Sequence, residues 1–319
     1  MNALVWRLHR NQAYIAAGTL ALIAIALAIT GGMVARDYRS FLSSCAATQN
    51  CPQTSLVFGR WYVFTDLTEL TIAVPALFGL FWGAPLLARE FEENTHTLVW
   101  TQGVTRARWL NANVGWFLGG AALWGAAISA LVMWWRSPET AAAFHGPRLS
   151  PRAFDIQGIV PIAYAICAVA IGIAAGALIR RVMPALAVTL ALFAGARVAV
   201  MNLVRPHLLT PVSKVLPFNK VFDVAKSGEW LLSRTYLNES GRTVGARFTL
   251  PDIPAACHPG NVNGGGLPAC LTAHGWHVAL TYQPASRFWP FQWMEAGMFL
   301  TLAAVLLLIT YRVALRRDA

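Results

Sequence analysis

Apolar residues along this chain do not alternate with polar ones at a helical or strand repeat; they run together. Six stretches, at roughly 13–34, 67–88, 113–135, 157–179, 184–204 and 291–311, hold almost no charge over about 20 residues each. A helix rising 1.5 Å per residue needs that length to cross a hydrocarbon core of roughly 30 Å. A soluble core helix of equal length would carry a polar face, and these carry almost none. The pattern predicts an all-α polytopic membrane protein with six transmembrane helices. It divides the chain into 1–204 with the first five helices, 205–290 as a small separate domain, and 291–319 with the sixth helix and a tail.

Local features refine the picture. Leu4, Val5, Trp6 and Leu8 lie among Arg7, His9 and Arg10, a pattern suited to a short amphipathic helix in the membrane interface ahead of the first span. Ala26-Leu27-Ala28 resembles a signal-peptide cleavage site, but the apolar run continues to Val34, so a retained span is expected. Pro75 and Pro85 are kink points in the second span. Gly115 with Gly119, and Gly172 with Gly176, are small-xxx-small pairs that let helices approach closely. Only Arg180 to Met183 separates the fourth and fifth stretches, so these form a tight hairpin.

Composition agrees with the pattern: 56% of the 319 residues are hydrophobic and 12% charged, against about 25% charged in soluble domains. The net charge of +11 sits in loops and at span ends, without a nucleic-acid module, so bilayer anchoring explains it and no nucleic-acid partner is expected. With both termini cytoplasmic, Arg7, Arg10, Arg89, Arg106, Arg108, Arg180, Arg181, Arg312, Arg316 and Arg317 fall on the cytoplasmic side, following the positive-inside rule. Cys45, Cys51, Cys257 and Cys270 then fall outside, where disulfides persist.

Two local bridges, Cys45 with Cys51 and Cys257 with Cys270, are the simplest of the three pairings. A zinc alternative exists, since Cys257, His258, Cys270, His274 and His277 supply enough ligands, but the spacing matches no standard finger. Residues 205–290 form a small mixed α/β domain between the fifth and sixth helices, expected to be extracellular. Trp276, Val278, Leu280 and Tyr282 alternate with polar or small neighbours as in a half-buried strand. Arg247 to Leu250 reads as another strand, Asn238 to Gly241 as a turn, and Leu208 to Ala225 as an alternative interfacial or re-entrant helix.

The loop at 89–112, expected in the cytoplasm, opens with Arg89, Glu90, Glu92 and Glu93, passes through Leu98, Val99 and Trp100, and closes at Thr105, Arg106 and Arg108. Acidic residues near a helix start and basic ones near its end suit the helix dipole. This loop resembles that of the permease subunits of six-span (type-2) ATP-binding-cassette exporters. The family pattern is approximately Arg-Glu-x-Glu-x-Gly-Thr, a hydrophobic stretch, then a small turn with Ser/Thr-Arg. Arg89, Glu90, Glu92, Thr95, Leu98, Thr105 and Arg106 match it, and Asn94 stands where the family usually has Gly. Gly83 to Glu90, Thr101 to Arg106 and Tyr282 to Gln292 are similar to the high-GC Gram-positive branch.

The resemblance implies that Arg89, Glu90, Glu92, Glu93, Thr95, Leu98, Thr105 and Arg106 form a coupling helix pushed by a separate ATPase. It further implies two copies of that ATPase, which binds ATP and Mg, and a second permease, either identical or related. The location would be a bacterial cytoplasmic membrane, and the cargo a drug, antibiotic, peptide or lipid-like molecule.

The chain has no machinery for ATP hydrolysis. Its only lysines, Lys214, Lys220 and Lys226, follow no Gly, so there is no P-loop, and no zinc-protease or hydrolase motif is present. Arg197 lies within two helical turns of the outer end of the fifth span, and Glu295 near the outer end of the sixth. Both are ionisable residues inside spans, for which packing or snorkelling to the interface is the plainer reading. They are candidates for a transport path and for pairing with one another. An ion-driven transporter would want paired carboxylates at mid-membrane and an internal repeat, which are not found. A membrane sensor or assembly protein is the other competing class.

Overall fold

The structure, a computed structural model, describes residues 2–48, 59–93, 105–141, 148–221, 228–247, 252–258 and 266–316. Among these, six helical stretches are long and apolar enough to cross a membrane: His9–Ser44, Val63–Glu92, Ala107–Pro138, Val160–Ile179, Val182–His207 and Ala285–Leu315. They are spans one to six below. Five enclose the stretches read from sequence. The fourth begins at Val160 rather than at 157, because Gly158 has φ 76° and interrupts the helix.

Span one belongs to a single helix, Asn2–Thr48, of 47 residues. Leu4 to Arg10 form its first turns, continuous with the span. Span two is the least regular. It passes from helix Tyr62–Glu69 through a 3₁₀ turn at Leu70–Ala73, helix Val74–Phe78 and a π turn at Gly79–Gly83 to helix Ala84–Glu92. Pro75 and Pro85 each stand at the start of a new helical piece, where the missing N–H leaves no bond unmade. The altered turns ahead of them relieve the clash of each ring with the carbonyl four residues back. Span five repeats the device, with a π turn at Val200–Val204 just before Pro206.

Polar contacts give the bundle two distinct ends. At one, His9 bonds Asn113 (3.2 Å), Tyr311 donates to Asn111 (2.5 Å) and the Val182 amide donates to Glu92 (2.9 Å). At the other, Trp135 donates to Thr30 (2.9 Å), Trp61 donates to Asp37 (2.6 Å) and Arg152 faces Glu69 (3.5 Å). Span four is the central helix: 78% of its most apolar stretch is buried, against 11% in spans one and five. It packs backbone to backbone on span two. A Cβ at Gly83 would lie 2.6 Å from the Val169 carbonyl, and one at Gly176 would lie 2.5 Å from the Ala84 carbonyl.

Among the described residues the sheet has four antiparallel strands, β1 Val212–Pro217, β2 Trp230–Leu237, β3 Thr243–Gly245 and β4 His277–Gln283, in the order β1-β4-β2-β3. Val278, Leu280 and Tyr282 on β4 are buried against Phe218, Tyr236, Leu271 and Trp276, following the alternation in sequence. Gly241, at φ 74°, closes the β2–β3 turn read at Asn238 to Gly241. The helix considered for Leu208 to Ala225 does not form at Val212–Pro217, because that segment pairs with β4, Val212 opposite Tyr282. Of the strand read at Arg247 to Leu250, residues 248–250 lie outside the described residues; β3 is a separate, earlier segment that ends at Gly245. A disulfide joins Cys257 to Cys270 beside this core.

Candidate functional site

Four charged side chains and one tyrosine meet at the bundle end from which the sheet departs. Arg205 is fully buried where span five ends in a 3₁₀ turn. Its Nε donates to Glu295 Oε2 (2.8 Å) and its Nη2 to Glu295 Oε1 (2.7 Å). The same Nη2 also reaches Asp155, the last residue of the short helix Pro151–Asp155. Asp155 in turn accepts from Arg197 Nη2, and the Tyr164 hydroxyl donates to Glu295. Arg197 Nη1 donates to the Ile72 carbonyl (2.7 Å) in the 3₁₀ segment of span two.

Two guanidinium groups therefore face two carboxylates, and the cluster is neutral as a whole. That balance is what allows four charges to sit at this depth. The guanidinium of Arg205 lies 4.3 Å from the Phe154 ring centroid and that of Arg197 lies 4.5 Å from that of Tyr164, so aromatic faces supply further stabilisation. Arg148, at the rim, lies 4.2 Å from the Phe288 ring centroid, and burial there pulls its pKa below the ordinary guanidinium value.

The segment from Tyr282 to Glu295 builds this end of the molecule. Gln283 donates to the carbonyls of Pro206 (3.1 Å) and Leu209 (2.8 Å), at and just beyond the end of span five. Arg287 donates to Gln283 and to the Thr210 carbonyl. One turn further on, Gln292 Oε1 accepts from the backbone amides of Ile159 and Val160, both at 2.9 Å, and its Nε2 donates to the Phe154 carbonyl (3.1 Å). Gln292 thus caps the buried N-terminus of span four, whose first amides have no intrahelical partner. Glu295, the next residue on that face, completes the ion cluster. A cavity of about 280 Å³ adjoins it between spans two and five, lined by Ile72, Ala76, Phe193 and Met201 with Arg197 and Asp155 as its charged groups.

Of the residues singled out in sequence, Arg197 and Glu295 enter the same cluster but do not touch one another. Asp155, Arg205 and Tyr164 stand between them. Asp155 and Arg205 escaped notice because they flank apolar stretches, where charge is ordinary; their burial is visible only in three dimensions.

At the opposite end, the last turns of span two carry Arg89, Glu90, Glu92 and Glu93. Arg89 pairs with Glu93 one turn on (2.8 Å), both exposed. Glu92 Oε2 accepts from the Val182 amide, and the Arg180 guanidinium lies 4.9 Å from the Phe91 ring centroid. Thr105 immediately precedes helix Arg106–Ala141, its Oγ1 accepting from the Arg108 amide (3.4 Å) as a helix cap. Thr95, Leu98 and Cys51 lie outside the described residues, as do the side chains of Arg106 and Cys45.

Five apolar helices around a sixth, buried one, with charges confined to their ends and to a neutralised cluster, define a multi-pass membrane protein. A model of the family described as ABC-2 membrane transporter related matches residues 17–205, more than half of the chain, and the chain belongs to that family. No curated protein and no solved structure matches it.

Proposed function

We propose that this chain is the permease subunit of an ATP-binding-cassette exporter. It forms the translocation path and couples it to a separate ATPase subunit that binds ATP and Mg. The observation that carries the reading is the family match over the first five spans, together with the six-span layout. The loop at 89–112 supplies the docking element, from Arg89, Glu90 and Glu93 on one side to Thr105 and Arg106 on the other, with Thr95 and Leu98 between them. The loop then faces the cytoplasm with both termini, and the sheet domain lies outside a bacterial plasma membrane. Resemblance at Gly83 to Glu90 and at Tyr282 to Gln292 favours the high-GC Gram-positive branch.

Six spans are half of a full exporter of this kind, so two permease copies, or this one and a related permease, join two ATPases. The cavity between spans two and five, apolar but for Arg197 and Asp155, suits an amphipathic cargo such as a drug, antibiotic, peptide or lipid-like molecule. An ion-driven mechanism fits less well, since Asp155 and Glu295 are each held by arginine and leave no unpaired carboxylate in the cluster.

The test is affinity purification of the tagged chain from its native membrane in mild detergent. Recovery of an ATP-hydrolysing subunit, lost on Glu90→Ala combined with Arg106→Ala, is expected. Recovery of the chain with no ATPase under any nucleotide condition would sink the proposal.

A further inference from the structure

The Glu92 carboxylate does not point away from the protein as a docking residue would. Its Oε2 accepts from the amide of Val182, the first residue of helix Val182–Ala199, 2.9 Å away across 90 positions of sequence. A carboxylate there satisfies an amide that has no intrahelical partner and faces the positive end of the helix dipole. The chain is shaped to present that amide. Arg180 ends span four in the left-handed conformation (φ 58°), and Arg181 is extended, so span five restarts at Val182 directly under Glu92.

A second contact holds the same junction, the Arg180 guanidinium against the Phe91 ring. Beneath both, Ala84 and Ala88 of span two pack on Ala175 and Ala185 of spans four and five, with Ile179, Val182 and Leu186 at the edge of the contact. The final turns of span two and the hairpin between spans four and five are therefore one mechanical unit at this end. Span five runs from that junction to Arg197, roughly 22 Å further along its axis at 1.5 Å per residue. There it holds Ile72 and Asp155.

We infer that Glu92 is a positioning residue that transmits movement of the loop after span two into span five, and so to the ion cluster at the far end. This rests on the coupling role proposed above, and it separates Glu92 from the residues that meet the ATPase. Its side chain acts as a hydrogen-bond acceptor toward Val182, so an uncharged acceptor of the same length keeps the bond, losing only the weaker attraction to the helix dipole.

Two changes remove the bond from opposite sides. Glu92→Ala deletes the acceptor. Val182→Pro deletes the donor at a first helical position, where proline is tolerated, after an extended residue of the kind that precedes proline. Glu92→Gln keeps an acceptor.

The readout needs no cargo. Spin labels at exposed Leu70 in span two and Leu203 in span five report their separation in the purified permease–ATPase complex, with and without ATP and vanadate. The unsubstituted complex and Glu92→Gln should show a nucleotide-dependent change. Glu92→Ala and Val182→Pro should lose most of it, say fivefold or more, while retaining the ATPase and its hydrolysis, and the double substitution should be no worse than either alone.

A full change in both Glu92→Ala and Val182→Pro overturns the inference. Loss of the ATPase from Glu92→Ala alone also overturns it, by making Glu92 a docking residue. If the unsubstituted chain binds no ATPase, the coupling proposal itself fails, which is a separate outcome.

Discussion

Arg205 and Glu295, 90 residues apart, share two parallel hydrogen bonds of 2.8 and 2.7 Å with neither side chain exposed. This pairing joins the end of span five to the start of span six on either side of the sheet domain. A buried pair of this kind gives little net stability over an apolar substitute, but breaking it leaves an uncompensated charge at a cost of about 3–5 kcal/mol. Glu295→Ala should therefore lower the thermal midpoint of the detergent-solubilised protein sharply. Arg205→Met combined with Glu295→Met should recover most of the loss, because Arg197 and Asp155 still balance one another. A double variant as unstable as Glu295→Ala would show that the cluster is not held by charge balance.

Gln292 is predicted to matter for a different reason. Its carbonyl oxygen serves two amides at once, Ile159 and Val160, and the side chain is buried. Gln292→Ala should cost about 1–3 kcal/mol for the amides left without an acceptor. It should also raise hydrogen exchange at Ile159 and Val160 selectively. Gln292→Glu keeps an acceptor for the two amides but sets a second oxygen, or a buried charge, against the Phe154 carbonyl. It should therefore be destabilising overall, while exchange at Ile159 and Val160 rises less than in Gln292→Ala.

How far these features could be read in the chain differs by the range of the interaction. The spans were legible because crossing a bilayer is a local demand on about 20 consecutive residues. The β4 alternation was legible for the same reason, since each strand carries its own two-sided pattern. Arg197 and Glu295 stood out as charges in apolar surroundings. Their partners did not, because Asp155 and Arg205 lie where charge is common and are buried only by the return of span six. Val212–Pro217 shows the same limit. Its apolar residues fit an interfacial helix locally, and only pairing with a strand that begins at His277 makes it β. At the other end, the acidic turn was legible as a motif, yet nothing local reveals that Glu92 reaches Val182.

The disulfide makes a prediction for the sheet domain alone. Cys257 and Cys270 are separated by 13 residues, and closing a loop of that size stabilises by about 3 kcal/mol in the chain-entropy account. Differential alkylation and mass spectrometry should recover them in one linked peptide, with Cys167, buried in span four, as a protected free thiol. Mild reduction should speed proteolysis within the sheet domain while leaving the helical spans intact. Finding Cys257 linked to another cysteine would refute the pairing.

The small-xxx-small pairs separate into two kinds, and substitution should tell them apart. At Gly172 an added Cβ would lie 2.6 Å from the Ala84 amide nitrogen and would also strike the Gly79 carbonyl. Both are backbone atoms that cannot swing aside as a side chain can. Gly172→Ala should therefore force spans two and four apart, at a cost of about 1–3 kcal/mol for overpacking. At Gly115 and Gly119 nothing lies within 4 Å of the added atom, so Gly115→Ala or Gly119→Ala should leave the isolated subunit unchanged or gain up to about 1 kcal/mol of helix propensity. Thermal midpoints of the three variants in one detergent would check this directly. Equal destabilisation at Gly115 and Gly172 would mean that span three is packed as closely as span two, and the distinction would fall.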